Sequence, residues 1–426
     1  MNNFKNLRGT VDLLPDHLIK WQNVEKIIIE QLFRSSIKEI RTPILEMTEL
    51  FMRGIGEGTD VVSKEMYTFL DRGERSCTLR PEGTASVARA LIQHGISTKP
   101  SQKLWYMGPM FRYERPQAGR QRQFHQLGVE FIGYESVSSD IEIITLAWDI
   151  LEKLGIKELN LEINTLGDHI DRSNFQKAFL KWLEVNKNSL DFDSQRRIDK
   201  NPLRILDTKD VKTKQILKGA PRLFDFLSEK SLERYLIIKE KLKLLKIPFI
   251  ENSNLVRGLD YYTHTAFEIT SGALGSQATV CGGGRYDSLI SQMGGAETPA
   301  IGFAIGLERL ILLCGNELEE TRETDVYIVN KGTHAEILAM ELSRKLRNYD
   351  LIIELDLSGA SFSKQFKKAN KLKSKSIIVI GDDEAVKNEF VIRLFNQENF
   401  ENMEERISVD DVTKLDNWLD KNLLLK

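Results

Sequence analysis

Apolar residues recur at Leu18, Trp21, Val24, Ile28 and Leu32, the spacing of one helix face, and the stripe stops before EIRTPILE (39–46). Pro43 has no N–H for a ladder, so this segment is expected at a sheet edge or an interface. From Leu104 the period becomes two, through LWYMG, MFRYE and FHQLGVEFIG. Pro116 and Gly119 separate the last two runs, which predicts antiparallel strands joined by a long basic loop. Residues from about 170 to 245 show helical patches such as FQKAFLKWLEV and no strand alternation before IPFIEN, the pattern of a mostly helical insertion. After Leu313 the polar run GNELEETRET has no period; DVYIV, EILAMELSRKLRN, LIIEL, FSKQFKKANKLK and SIIVI then alternate strand with helix. That order predicts a small α/β unit with right-handed crossovers. The fold class expected is α+β, with one domain over 1–323 carrying the insertion and a second over 324–426. No internal repeat or low-complexity tract is evident.

Alternation also assigns faces. Leu127, Val129 and Phe131 point one way; Gln126, Gly128 and Glu130 point the other. If the strands pair across a turn centred near Gly119, Arg112 stands opposite Gln126, and one face displays Arg112, Glu114, Gln126 and Glu130 together. A solvated sheet surface with an Arg-rich loop is the plainer reading of that hairpin.

Charge narrows the alternatives. Lys and Arg number 60 against 62 Asp and Glu, a net charge of −2, so an anionic partner must be met by local patches. The densest is FRYERPQAGRQRQF, where Arg112, Arg115, Arg120 and Arg122 surround Glu114. The strongest apolar run, AIGFAIGLERLILLC, is cut by Glu308 and Arg309, which argues against a membrane span, and MNNFKNLRGT carries no apolar signal segment. A cytoplasmic protein is expected. Cys77, Cys281 and Cys314 share no metal-binding spacing and are expected as reduced thiols.

Three further stretches are unsuited to plain packing. TLRPEGTASVAR (78–89) puts Glu82 and Thr84 at a turn before a helix; LVRGLDYYTHTAFE (255–268) sets Arg257 beside a glycine and ahead of two tyrosines; CGGGRYDSLI (281–290) has three consecutive glycines, favoured where a backbone is closely approached. PAIGFAIGLERLILL (299–313) runs from a Gly-spaced strand into a helix whose first turn carries Arg309, a seat for phosphate.

These segments together resemble a class II aminoacyl-tRNA synthetase, and LVRGLDYYTHTAFE with CGGGRYD resembles the histidyl-tRNA synthetase family specifically, over nearly the whole chain. The resemblance implies an antiparallel sheet flanked by helices, a C-terminal anticodon-binding domain, and activation of L-histidine with ATP and Mg²⁺ before transfer to the 3′-terminal adenosine of tRNA(His). EIRTPILE is similar to the motif that builds the family's homodimer; FRYE with QFHQLGVE and GFAIGLERL resemble the other two class motifs. By position, Arg112 and Arg257 would be the catalytic pair, holding the α-phosphate and the amino-acid carboxylate from opposite sides. Glu114 would lie near the adenine, Phe124 would stack on it, and Arg309 would grip the γ-phosphate. Glu82, Thr84 and Gln126 would receive the ammonium group, Glu130 and Tyr262 would bracket the imidazole, and Tyr261 would stand close by. Arg115, Arg120 and Arg122 would meet the acceptor end of tRNA; Gln121 departs from the aromatic residue common between the last two. No protein ligand to Mg²⁺ is assigned, and no editing domain is expected.

Two alternatives remain open on the residues: a non-catalytic regulator built on the same core, as the regulatory subunit of ATP phosphoribosyltransferase is, and a prolyl, threonyl or glycyl enzyme. Other features have bland readings. His17, His94, His125, His169, His264 and His334 lack ligand spacing and are expected to be structural. RGIGEGTD (53–60) lacks a Walker lysine and is expected as a mobile loop that orders on substrate binding. Lys364, Lys368, Lys371 and Lys375 form a stripe opposite Phe362, Phe366, Ala369 and Leu372, a solvated face before it is an RNA contact.

Overall fold

The computed structural model describes residues 4–56, 58–96, 101–199, 201–206, 208, 210–273, 279–315, 318, 323–349, 351–394 and 404–424. The chain divides into two compact units, Met1–Glu319 and Glu320–Lys426. Most of GNELEETRET lies outside the described residues.

In the first unit the strands are β1 (Lys38–Glu39), β2 (Leu45–Met47), β3 (Tyr67–Leu70), β4 (Ser76–Leu79), β5 (Gln102–Phe111), β6 (Gln123–Ile132), β7 (Leu159–Thr165), β8 (Phe249–Glu251), β9 (Thr263–Ser271), β10 (Thr279–Arg285) and β11 (Ala300–Gly306). Eight of them form one sheet in the order β1-β5-β6-β11-β10-β9-β7-β8, antiparallel from β5 to β7 and closed at each edge by a short parallel strand. The other three form a small sheet, β2-β4-β3. EIRTPILE serves both: Glu39 ends β1, Leu45 opens β2, and Pro43 lies between them, where no ladder needs its N–H.

Strand alternation separates the large sheet into two chemically different faces. Leu127 and Val129 of β6, Phe303 and Ile305 of β11, and Phe267 and Ile269 of β9 are buried against Trp21, Val24 and Ile28 of helix Pro15–Arg34 and Ile143, Ile144 and Ala147 of helix Val137–Lys153. On the opposite face the cross-strand rows read Tyr106, Gly128, Ala304, Gly282, Glu268 and Leu104, Glu130, Gly302, Gly284, Ala266. Small residues in mid-sheet leave a trough there.

The basic hairpin pairs differently from the expectation. β5 ends at Phe111, so Arg112 and Glu114 lie beyond the strand, and the Arg112 N–H donates to the Arg122 carbonyl at 2.8 Å, four residues from Gln126. Gln126 stands opposite Gly108. A tight turn does close around Gly119 (φ +67°), with Gln117 and Arg120 exchanging backbone bonds of 3.1 and 2.8 Å. Tyr113 leaves the ladder, however, its N–H donating to the Glu65 carbonyl at 2.7 Å, and the extra residues lengthen one arm. The slip is even, so side chains keep their faces.

RGIGEGTD, apart from Glu57, which lies outside the described residues, is a helix end and a turn rather than a loop throughout. Arg53 to Ile55 close helix Thr48–Ile55, a Cβ at Gly54 would lie 3.2 Å from that of Ala85, and the Thr59 hydroxyl donates to the Gly56 carbonyl at 2.8 Å. The region 169–244 is helical, with His169–Asn186 and Glu229–Leu244 its longest helices and a core of its own around Phe175, Phe179 and Leu183. Cys77, Cys281 and Cys314 are buried free thiols.

The second unit holds β12 (Val326–Lys331), β13 (Ile353–Leu355), β14 (Ser376–Gly381), β15 (Glu389–Leu394) and β16 (Glu404–Ser408) in the order β13-β12-β14-β15-β16. The first three are parallel; β15 and β16 add antiparallel strands that the alternating pattern left out. Helix Phe362–Lys371 buries Gln365 and Ala369, whereas Leu372 is exposed. The lysine stripe breaks up: Lys375 lies past the helix and meets Asp325 at 2.7 Å, and Lys368 meets Asp356 at 3.4 Å.

One charged knot ties the first unit together. Arg285, with no exposed surface, donates to Asp140 Oδ2 (2.7 Å), Ser139 Oγ (2.8 Å), the Tyr134 carbonyl (2.9 Å) and Asp287 (3.0 Å), while Arg234 reaches Asp140 at 2.5 Å. Removing one member strands buried charge. Asp140→Ala is expected to lower unfolding stability by about 3–5 kcal/mol in urea titration; a change below about 1 kcal/mol would show the knot to be dispensable.

Candidate active site

The trough is the floor of a cleft of about 400 Å³. Its inner end is a polar pocket built over glycines. Glu130 is 1% exposed and lies across Gly302, its cross-strand partner; Tyr106 covers Gly128, and Tyr262 covers Gly284. Arg257 lies across Gly282. A side chain on any of these glycines would displace the residue above it.

The two buried carboxylates are held by donors the local fold brings up. Glu130 accepts from the Thr84 hydroxyl at 2.7 Å and from the Tyr286 hydroxyl. Glu82 accepts the N–H groups of Thr84 and Ala85, both at 2.7 Å, at the start of helix Thr84–Gln93. Tyr261, Tyr262 and Tyr286 pack as a cluster with ring centroids 4.7 to 6.5 Å apart. Burial pushes the Glu130 carboxyl up to about 8, against the pull of its Tyr286 and Thr84 bonds, and burial also raises Glu82.

The outer end of the cleft is cationic. Arg112 Nε donates to the Pro81 carbonyl at 2.9 Å, and its guanidinium lies 5.4 Å from the Phe124 ring centre. Glu114 stands between Arg112 (3.8 Å) and Arg120 (3.4 Å). Arg257 pairs with Glu268 at 2.7 Å, and Glu268 also accepts from Thr279. Arg309 donates to the carbonyls of Gly119 (3.3 Å) and Thr279 (2.9 Å). Burial, and then the nearby charge of Arg120, lowers the proton affinity of Arg309. Cations that repel one another in a half-buried cleft are an anion site.

Among the buried side-chain atoms of the described residues that have no partner, three stand over this floor: Gln126 Oε1, an acceptor, Arg257 Nε, a donor, and the Tyr106 hydroxyl. A ligand or an ordered water in the cleft is one way to satisfy such atoms.

The cleft thus brings together Glu82, Thr84, Arg112, Glu114, Arg120, Phe124, Gln126, Glu130, Arg257, Tyr261, Tyr262 and Arg309. Arg115 is exposed and Arg122 stacks on Tyr113 at 3.7 Å; neither lines the cleft, while Gln121 does. Sequence reading missed Tyr106, Glu268, Tyr286 and Arg204. Tyr286 and Glu268 lie in quoted motifs, but only the folded register shows them reaching Glu130 and Arg257. His125 is structural as expected, its Nδ1 3.0 Å from Glu308 and its ring against Trp21.

The family model for histidyl-tRNA synthetase matches residues 9–310, and that for an anticodon binding domain matches 325–415. The histidine–tRNA ligase of Prochlorococcus marinus subsp. pastoris is 92% identical over 425 residues, covering 100% of this chain and 99% of its own. That of P. marinus strain MIT 9515 is 85% identical over the same shares. The crystal structure of apo Staphylococcus aureus histidyl-tRNA synthetase superposes with a TM-score of 0.79 at 38% identity, over 97% of this chain and 99% of that one.

The Glu130 carboxyl has a pH signature. Its folded value, about 8, lies above the ordinary 4.5, so the folded state binds the extra proton. The stability it contributes is present below about 4.5 and is lost as pH rises through about 8. Urea unfolding across that window is expected to show a decline in the ligand-free wild type that Glu130→Gln lacks; parallel pH profiles would contradict the buried, protonated state.

Proposed function

The chain belongs to the histidyl-tRNA synthetase family, and from that premise we propose how its cleft divides the work. The protein is a histidine–tRNA ligase: ATP and histidine give histidyl-adenylate and pyrophosphate, and the histidyl group then passes to tRNA. One arrangement carries the residue assignments, a buried pocket of acids and phenols opening directly into a rim of guanidinium groups. The alternative of a non-catalytic regulator has no specific observation in its favour.

The pocket takes histidine. Glu82, Thr84 and the unpartnered Gln126 oxygen receive the ammonium group; Glu130 and Tyr262 bracket the imidazole, with Tyr261 beside it and Tyr286 aiming Glu130. A competitor without ring nitrogens would leave the buried carboxyl and phenol unpaired, which supports discrimination of roughly 10⁴ or more without editing.

The rim takes ATP. Phe124 stacks on the adenine, Glu114 lies at its edge, and Arg309 holds the γ-phosphate. Arg112 and Arg257 flank the α-phosphorus. A histidine carboxylate oxygen bonds to that phosphorus while the bond to pyrophosphate breaks, with no proton to move. Positioned positive charge is therefore the catalyst. Among the described residues no three carboxylate, His or Cys groups form a metal cage. Mg²⁺ needs only one or two carboxylates beside substrate phosphates. Glu65 and Glu114, which line the same cleft, are the carboxylates that would hold the ion. When bound, the ion neutralises phosphate charge. Arg120, with Arg115 and Arg122 on the same loop, meets the acceptor end of tRNA(His), and the second unit its anticodon.

Ile44, Leu45, Met47, Phe69 and Leu70 expose apolar surface on and beside the three-stranded sheet, which supports a homodimer. Sedimentation velocity is expected to give a dimer at micromolar concentration; a monomer would remove that assignment. Among the described residues no helix is long and apolar enough to cross a membrane. A cytoplasmic location is proposed, to be checked by cell fractionation.

Histidine-dependent exchange of pyrophosphate into ATP tests the division of labour. Arg257→Ala is expected to slow exchange at least about 100-fold with little change in tRNA binding, and Glu130→Gln to weaken selection of histidine. Wild-type exchange in Arg257→Ala would take that residue out of its role.

A further inference from the structure

Arg204 belongs to none of the segments that carry the family resemblance. It lies in the short turn Pro202–Ile205 of the helical insertion, yet it lines the cleft beside Arg257, Gly258 and Leu259. Its Nη2 lies 3.5 Å from where a Cβ on Gly258 would stand, so the guanidinium rests over the backbone next to Arg257.

The fold holds the turn in that place from both sides. Ile205 is sunk into the insertion's own core. The neighbouring Asn201 amide donates to both carboxylate oxygens of Asp260 at 2.9 and 3.2 Å, and Arg197 stands 3.6 Å from Asp60. Asn201 and Arg197 thus tie the insertion to the catalytic sheet's loops at the mouth of the cleft.

Electrostatics give Arg204 a purpose there. Arg257 is paired with Glu268 at 2.7 Å, so part of its field is spent inside the protein. Arg204 adds a second cation to the cleft, over the Gly258 backbone next to Arg257. Its charge is felt at Asp60, where burial alone would raise the carboxyl but Lys64, Arg197 and Arg204 hold it below the ordinary range.

We infer that Arg204 binds the phosphate chain of the nucleotide, so the helical insertion supplies one of the phosphate-holding groups and must be docked for adenylate formation. This rests on the reading of the rim as the ATP site. A charge-assisted hydrogen bond lost from a ligand weakens binding roughly 10- to 100-fold.

The test is pyrophosphate exchange with ATP titrated at saturating histidine, for wild type, Arg204→Ala, Arg204→Lys and Arg222→Ala. Arg222 is an exposed insertion arginine paired with Asp225 at 2.8 Å. Arg204→Ala is expected to raise KM for ATP roughly 10- to 100-fold, with the histidine KM and the melting temperature near wild type. Arg204→Lys recovers part of the loss, and Arg222→Ala shows none. A wild-type KM for ATP in Arg204→Ala, with only transfer to tRNA slowed, would make Arg204 an RNA contact and overturn the inference. A joint rise of both KM values with a lower melting temperature would make it structural and overturn it equally. Absence of histidine-dependent exchange in the wild type would instead overturn the reading of the cleft itself.

Discussion

A sheet face normally carries a side chain at every second residue, and a polar cleft cannot be sunk into it unless some are missing. Here the missing ones are Gly128, Gly282, Gly284 and Gly302, four positions on one face of three adjacent strands. Tyr106, Arg257, Tyr262 and Glu130 occupy the space where their Cβ atoms would be. The other face of the same strands carries Leu127, Val129, Phe303, Ile305 and Cys281, so the core that supports the floor keeps its apolar side chains. The site is rigid because its floor is the backbone of a packed sheet.

Burial then decides the chemistry. Glu130 sits almost wholly buried at the inner end of the cleft, its carboxyl raised by desolvation against the pull of the Thr84 and Tyr286 hydroxyls. A few residues away the cations Arg112, Arg120 and Arg309 crowd one another. On the proposed reading, the ring of histidine fits the first end and the triphosphate the second, and one cleft would set the carboxylate beside the α-phosphorus.

Much of this was legible in the chain. Alternation through Leu127, Val129 and Phe131 separated the core face from the site face, and the motifs around Glu82, Arg257 and Arg309 named most of the cleft. The hairpin register was not legible, because Tyr113 leaves the ladder for a carbonyl of Glu65, a contact no local pattern encodes. Tyr106 and Glu268 look like ordinary strand residues until the sheet places them beside Gly128 and Arg257. Arg204 is hidden for the same reason at longer range: its turn reads as part of a helical insertion, and only tertiary docking through Asn201 and Asp260 brings it to the cleft. In the second unit, Lys375 counted as a stripe residue by spacing but lies past the helix end.

The most direct measurement is a crystal structure with a non-hydrolysable histidyl-adenylate analogue. The imidazole is predicted within hydrogen-bond distance of Glu130 and Tyr262, above the Gly302 and Gly284 row, with the phosphate-mimicking group between Arg112 and Arg257. An analogue bound with its ring outside that pocket, or with the phosphate mimic touching neither arginine, would contradict the account.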